Sequence, residues 1–279
     1  MRAIRTLGAC AVALALCGVG AGAAAAEEYP LTGLPELGRC VKVALGTGKF
    51  IRSNCIGVDK DGFDGEWEWK PGPAEHGTLK LHLAGPKVET VGGEKISCSN
   101  AFLTGEYLNG KELKVTSTVL QGCLNVTPNK SCFSNPLAPG TIESSQELVG
   151  TIGFIPNPKN PSNPFVGADL KANPESLPLL AFSCGEQLGA EAVALEGSVI
   201  GKITKANKML ASNGMNYSAI KEKKGHQNPE AFEGGVKDTI TETVTPASNP
   251  LAKTSEQAAL LGGGELANGE AIEFKAEQH

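Results

Sequence analysis

The chain has 279 residues, with 25 Lys and Arg against 30 Asp and Glu, a formal net charge of −5 at pH 7, and 35 glycines beside 17 prolines. The acidic balance argues against nucleic acid as a partner, because phosphate binding needs a concentrated basic surface. No long stretch keeps a 3.6-residue apolar period, which argues against a helical fold and for strands punctuated by turns.

Residues 1–26 read as an export signal. Arg2 and Arg5 make a positive start, an apolar run follows from Leu7 to Gly22, and Ala24 and Ala26 stand at the spacing a signal peptidase reads, just before Glu27 and Glu28. The run is diluted by Gly and Ala and is shorter than the roughly 20 strongly apolar residues of a membrane span. No stable membrane insertion is therefore expected after cleavage. Neither cysteine of this region suits a lipid anchor: Cys10 has little apolar sequence before it, and Cys17 follows the bulky Leu16. Cleavage after Ala26 leaves 23 basic and 30 acidic residues in a single secreted domain, 27–279.

Six cysteines remain there: Cys40, Cys55, Cys98, Cys123, Cys132 and Cys184. After the first two comes Asp59-Lys-Asp61-Gly-Phe-Asp64. This resembles a calcium loop, but its third acid falls one position late for alternating ligands and no helical pattern flanks it. It reads as a turn rich in Asp and Gly. Glu66-Trp-Glu-Trp69 follows, and alternation puts Trp67 and Trp69 on one face. Paired indoles could stack on a sugar ring; as large hydrophobic side chains they are expected instead to plug the core.

Period two then recurs, as a half-buried sheet requires. Leu79, Leu81 and Leu83 share a face opposite Lys80 and His82, and Leu113, Val115, Ser117 and Val119 alternate with polar residues. Gly150–Ile155 and Phe165–Leu170 look like two strands of a hairpin. Between them, the proline-rich 156–164 forms the loop, since proline fixes the backbone and removes donors. Residues 186–196 tilt toward strand, the lysines of 202–224 read as a solvated face, and Ile240 with Val244 and Ile272 with Phe274 continue the alternation. The expected fold is all-β, an antiparallel sandwich or barrel-like domain stabilised by disulfides.

The thiols of Cys98 and Cys184 fall on the same faces as Ile96 and Phe182, pointing into an apolar core rather than toward the charged neighbour a reactive thiolate needs. The cysteine gaps, from 8 to 51 intervening residues, do not suit zinc. The preferred pairing among about 15 possible is Cys40–Cys55, Cys98–Cys184 and Cys123–Cys132: the first and last close short loops, and the middle one ties distant strands.

Several stretches carry a resemblance in order along the chain: Gly38–Val43, Glu66–Pro73, Lys95–Cys98 with Gly105–Tyr107, Gly197–Ile200 leading to Asn207–Met209, Gln227–Gly234 and Glu270–Phe274. The chain is similar to a group of uncharacterised exported proteins from high-GC actinobacteria. That resemblance implies export and brings no activity, so it transfers no catalytic residue.

Motifs for chemistry are missing. There is no G-x-S-x-G, H-E-x-x-H, glycine-rich phosphate loop or C-x-x-C. Of the four histidines, His82 sits on the polar face of a strand and His279 is the last residue, while nothing in the sequence places an acid beside His76 or His226 for a Ser-His-Asp site. The expectation is a secreted, non-catalytic surface or extracellular module without a cofactor. The alternatives are a carbohydrate-binding module or glycosidase using Trp67 and Trp69 against a glycan or cell-wall polymer, and a calcium-dependent adhesin using Asp59, Asp61 and Asp64.

Overall fold

Apolar and polar side chains alternate along most of the chain, and the strands follow that alternation. The computed structural model describes residues 33–277, apart from 75–76, 187 and 236. The expected signal with Cys10 and Cys17, and also His76 and His279, lie outside the described residues. In chain order come β1 (Glu36–Lys42), β2 (Trp67–Pro71), β3 (Thr78–Thr90), β4 (Lys95–Ser97), β5 (Asn100–Tyr107) and β6 (Glu112–Gln121). The middle of the chain holds β7 (Leu124–Asn125), β8 (Lys130–Phe133), β9 (Thr141–Ser144), β10 (Leu148–Ile155), β11 (Phe165–Ala172) and β12 (Leu180–Cys184). The last are β13 (Glu191–Thr204), β14 (Leu210–Ala219), β15 (Gln227–Asn228), β16 (Ile240–Thr245) and β17 (Thr254–Lys275); among the described residues there is no helix.

The architecture is all-β and antiparallel, and its sheet closes on itself. Followed from neighbour to neighbour, the pairings run β3–β5–β6–β10–β11–β13–β14–β17 and return to β3. A second circuit, β3–β4–β7–β8–β12–β13–β16–β17, shares the long strands β3, β13 and β17. Each shared strand changes partner at a glycine with positive φ: Gly85 in β3, Gly197 in β13 and Gly262 in β17. Such a backbone bend suits glycine alone. At Gly197 there is no room for a side chain either, since a Cβ would meet the Thr239 carbonyl oxygen at 2.2 Å.

Inward positions form one apolar core, including Leu79, Leu81 and Leu83 from β3. The expected hairpin is present: β10 and β11 pair from Leu148↔Ala172 to Ile155↔Phe165, and 156–164 joins them. Residues 191–196 belong to β13, in line with the strand reading of that stretch. In β6 the simple alternation fails. The register passes from Thr104↔Ser117 to Gly105↔Val115, leaving Thr116 as an extra residue. This bulge turns Thr118 and Leu120 inward where strict alternation assigned Ser117 and Val119.

The disulfides also correct the sequence reading. Cys40–Cys55 forms as expected, but the other two join Cys98 to Cys123 and Cys132 to Cys184. Cys98 and Cys184 are both buried, as their patterns implied, yet β7 and β8 stand between them in the second circuit. Each bridge instead links neighbouring segments of one wall, with Cα atoms 4.0 Å apart. That arc is built from the shortest strands of the circuit, and β8 and β12 share only two register pairs, Ser183↔Phe133 and Cys184↔Cys132. By contrast β17 and β3 share ten. Covalent links hold together the part of the wall with the fewest backbone hydrogen bonds.

Candidate ligand cavity

Where the two circuits meet, the interior is not completely filled. A cavity of ≈100 Å³ lies there, reached by Leu83 and Val88 on either side of the β3 corner, Leu195 and Val199 on either side of the β13 corner, and Ile240 and Leu260. A smaller void of ≈20 Å³ shares Val88, Leu195 and Leu260 with it. Three strands bend at this level, so side chains above and below diverge and leave space that close packing elsewhere removes.

Two hydroxyl-bearing residues are among those lining this space, though its surface is wholly apolar. Thr118, turned inward by the β6 bulge, lines the cavity, and its hydroxyl oxygen is buried without a hydrogen-bond partner. A buried hydroxyl without a partner costs free energy and calls for an explanation. Tyr217 also lines the cavity, but its hydroxyl donates to Met215 Sδ at 3.1 Å, and burial pushes its phenol well above the ordinary value.

Glu242 stands beside two cavity-lining residues, Ile240 and Leu195, without lining the cavity itself. It shares the inward face of β16 with Ile240 and Val244, both packed on the core, and it lies directly opposite Leu195 of β13 and Glu256 of β17 in register. Its exposure is 3%. Burial, followed by the negative charges of Glu94 and Glu256, raises its carboxyl from 4.5 to about 7.

A second polar group sits on the outer side of the wall. The segment after β15 crosses β10, β11 and β13: Glu233 N donates to the Phe154 carbonyl, and Ser198 N to that of Thr239. Beneath it Asp169 is buried, with Lys171 Nζ 3.6 Å from Asp169 Oδ2 and 3.8 Å from Asp238 Oδ2. Ser198 Oγ donates to Asp238. Burial, with the Asp238 carboxyl close by, raises the Asp169 carboxyl above the ordinary range, against the pull of Lys171 and Ser198. This group fastens the crossing segment to the wall.

The residues singled out from sequence fall in other places. Trp67 and Trp69 are half-buried and lie outside the main core, which corrects the expectation that they plug it. Trp69 Nε1 donates to Glu36 at 2.6 Å, and Lys275 Nζ sits 4.4 Å from the centre of its ring, so this indole already carries a cation. Lys275 is buried, and burial lowers its ammonium below the ordinary value. The β1–β2 extension and its connecting loop cover that face of β17, with Phe50 also under Lys275.

Asp59 organises a turn. Its Oδ1 accepts from the amides of Asp61 and Gly62, and its Oδ2 from those of Asp64 and Gly65, at 2.8–3.2 Å. Desolvation would raise its carboxyl, but the four backbone hydrogen bonds outweigh it and hold the group below its ordinary value. Among the described residues no three acidic, histidine or cysteine side chains gather at metal-binding distance.

His82 stands on the outer face as expected, stacked on Phe102 at 4.7 Å with Nε2 2.9 Å from Asn100 Oδ1. His226 corrects its own reading, since an acid does lie beside it: Nδ1 is 2.7 Å from Glu230 Oε1. Among the described residues, however, no serine or threonine hydroxyl hydrogen-bonds this ring. The lysines of 202–224 are not one patch. Lys202 lies 3.0 Å over the Phe165 ring, and β14, ten residues long, separates Lys205 and Lys208 from Lys221, Lys223 and Lys224 by about 30 Å.

Sequence reasoning missed both Thr118 and Glu242. Thr118 was hidden by the bulge. Glu242 left a legible sign, an acid between Ile240 and Val244 on the apolar face of a strand. Compared with protein-family models, characterised proteins and solved structures, the chain matches none.

Proposed function

We propose that this is a secreted, non-catalytic binding protein, acting at a cell surface or in the extracellular medium, whose site is the apolar cavity inside the closed wall. The observation that carries the reading is an internal void whose surface is wholly apolar, lined chiefly by leucine, valine and isoleucine. An eight-stranded closed wall is about wide enough to be filled by side chains or to hold one small ligand. An engineered apolar cavity of about 150 Å³ takes up benzene; at ≈100 Å³ this one suits a short alkyl chain or, with small leucine movements, a single ring.

Three disulfides support extracellular residence, as do the signal-like start and the resemblance to exported actinobacterial proteins. No helix among the described residues is long and apolar enough to cross a membrane. The glycan reading has less support, because Trp69 is engaged by Glu36 and Lys275.

Thermal unfolding of the purified secreted protein with benzene or ethylbenzene tests the reading. A ligand that binds only the folded state raises the midpoint in proportion to its occupancy. Ala101, buried on the cavity wall, provides the control, since Ala101→Leu fills the space and should abolish the shift. Absence of any shift in the parent protein at saturating ligand would refute the cavity as a binding site.

A further inference from the structure

We infer that the protein carries a second site, independent of the interior cavity: a pocket at one end of the wall for a small carboxylate with an apolar body, its charge met by Lys202 and Lys205. The pocket has a volume of ≈310 Å³ and lies where the proline-rich loop 156–164, the β13–β14 turn and the residue after β17 come together. That volume is at the lower end of the range of about 300–1,000 Å³ for small-molecule sites.

Its walls are fixed before any ligand arrives. On the loop side, Asn157 Nδ2 donates to the Asn163 carbonyl at 2.8 Å, and Asn163 N to that of Asn160 at 3.0 Å. On the turn side, Asn207 N donates to the Phe274 carbonyl at 2.9 Å and Ala276 N donates to Asn207 Oδ1 at 2.6 Å. Lys205 and Asn207 both have positive φ, 62° and 59°. Residues with a side chain rarely adopt that left-handed conformation, and it persists only where the surroundings impose it. Here Asn213 Nδ2 reaches the carbonyls of Thr204 and Lys205, at 3.4 Å each. Walls held in this way lose little freedom on binding.

The charge in the pocket is of one sign. Lys202 and Lys205 line it and no acidic residue does, in a chain whose net charge is −5. Lys202 Nζ lies 3.0 Å from the centre of the Phe165 ring, and a ring face attracts an ammonium without neutralising it. Burial lowers the Lys202 ammonium below its ordinary value, and no carboxylate acts against that. Uncompensated cations in a concave site draw anions.

Pro164, Phe165, Ala206 and Ala276 supply the apolar part of the lining. A bare inorganic anion would leave that surface uncovered, and an apolar body attached to the carboxylate covers it. A long polyanion fits less well, because Lys221, Lys223 and Lys224 stand at the far end of β14. Lysines are point charges and impose no planar, two-pronged geometry, so the pocket selects for charge and size.

Calorimetric titration of the full secreted chain at low salt with benzoate, and with its neutral near-isostere benzamide, tests the inference. Benzoate should bind at least about tenfold more tightly, since charge-assisted hydrogen bonds are roughly twice as strong as neutral ones. Lys202→Met and Lys205→Met should each remove most of that preference. Lys221→Met at the far end of β14 should leave it intact, as should Ala101→Leu, which fills the interior cavity. Should the lysine variants fail to fold, amide shifts of the parent protein decide: benzoate should move the signals of 163–166 and 202–207 before any others. Absence of benzoate binding, equal binding of benzamide, or a preference that survives both lysine variants would overturn the assignment. So would an equal loss in Lys221→Met, first shifts elsewhere in the chain, or loss of benzoate binding in Ala101→Leu, which would put the ligand in the interior.

Discussion

Removing the Cys132–Cys184 bridge should loosen one arc of the wall before the rest. The bridge spans a sequence separation of 52, for which the chain-entropy model gives about 4 kcal/mol, against about 3 kcal/mol for the separation of 15 closed by Cys40–Cys55. Set against a total stability of about 5–15 kcal/mol for a domain, that loss is large. The local consequence is sharper than the global one. With the bridge gone, β8 and β12 retain only the two register pairs that join them, whereas β3 and β17 retain ten.

In the Cys132→Ser/Cys184→Ser double variant, urea unfolding should show a loss of about 4 kcal/mol, exceeding that of Cys40→Ser/Cys55→Ser. Amide exchange should accelerate first in 130–133 and 180–184, with β3 and β17 protected until global unfolding. Uniform loss of protection across the wall would refute the staple argument. So would a non-reducing peptide map that joins Cys98 to Cys184 or Cys123 to Cys132.

Glu242→Gln should alter how stability depends on pH. The folded carboxyl holds its proton to about pH 7 and the unfolded one only to 4.5, so the folded state binds more protons between those values, and stability falls as pH rises through that window and is flat above it. At 1.36 kcal/mol per pH unit the variant should gain up to about 3 kcal/mol over the parent at pH 8 and nothing at pH 4; an equal gain at both pH values would contradict this. Asp169→Asn should act with the same sign, because the folded carboxyl there is also raised by burial beside Asp238, and denaturant midpoints at pH 5 and pH 8 compare the two states. Asp59→Ala should speed amide exchange at Asp61, Gly62, Asp64 and Gly65, whose amides it accepts, and calcium should leave the exchange of the parent loop unchanged. Protection of those four amides by calcium would revive the ion-binding reading of the turn.

Much of the strand content was legible in the sequence because a strand's alternation is local. Leu79, Leu81 and Leu83 need no knowledge of the rest of the chain to share a face, and the prolines of 156–164 can only interrupt a ladder. The inward pointing of Cys98 and Cys184 was readable for the same reason. Their partners were not, because a disulfide depends on which strands become neighbours, and in a closed wall that order is settled by pairings between distant parts of the chain. Period two also predicts only an unbroken strand. One extra residue at Thr116 reverses the faces beyond it and brings Thr118 inside, as no local pattern could reveal. Glu242 lies between these cases. Its place on an apolar face is written in the sequence, but its burial and the two acids beside it exist only once β13, β16 and β17 are brought together. Cavities arise from the volumes of side chains that meet across the interior, and those meetings are decided by the tertiary structure alone.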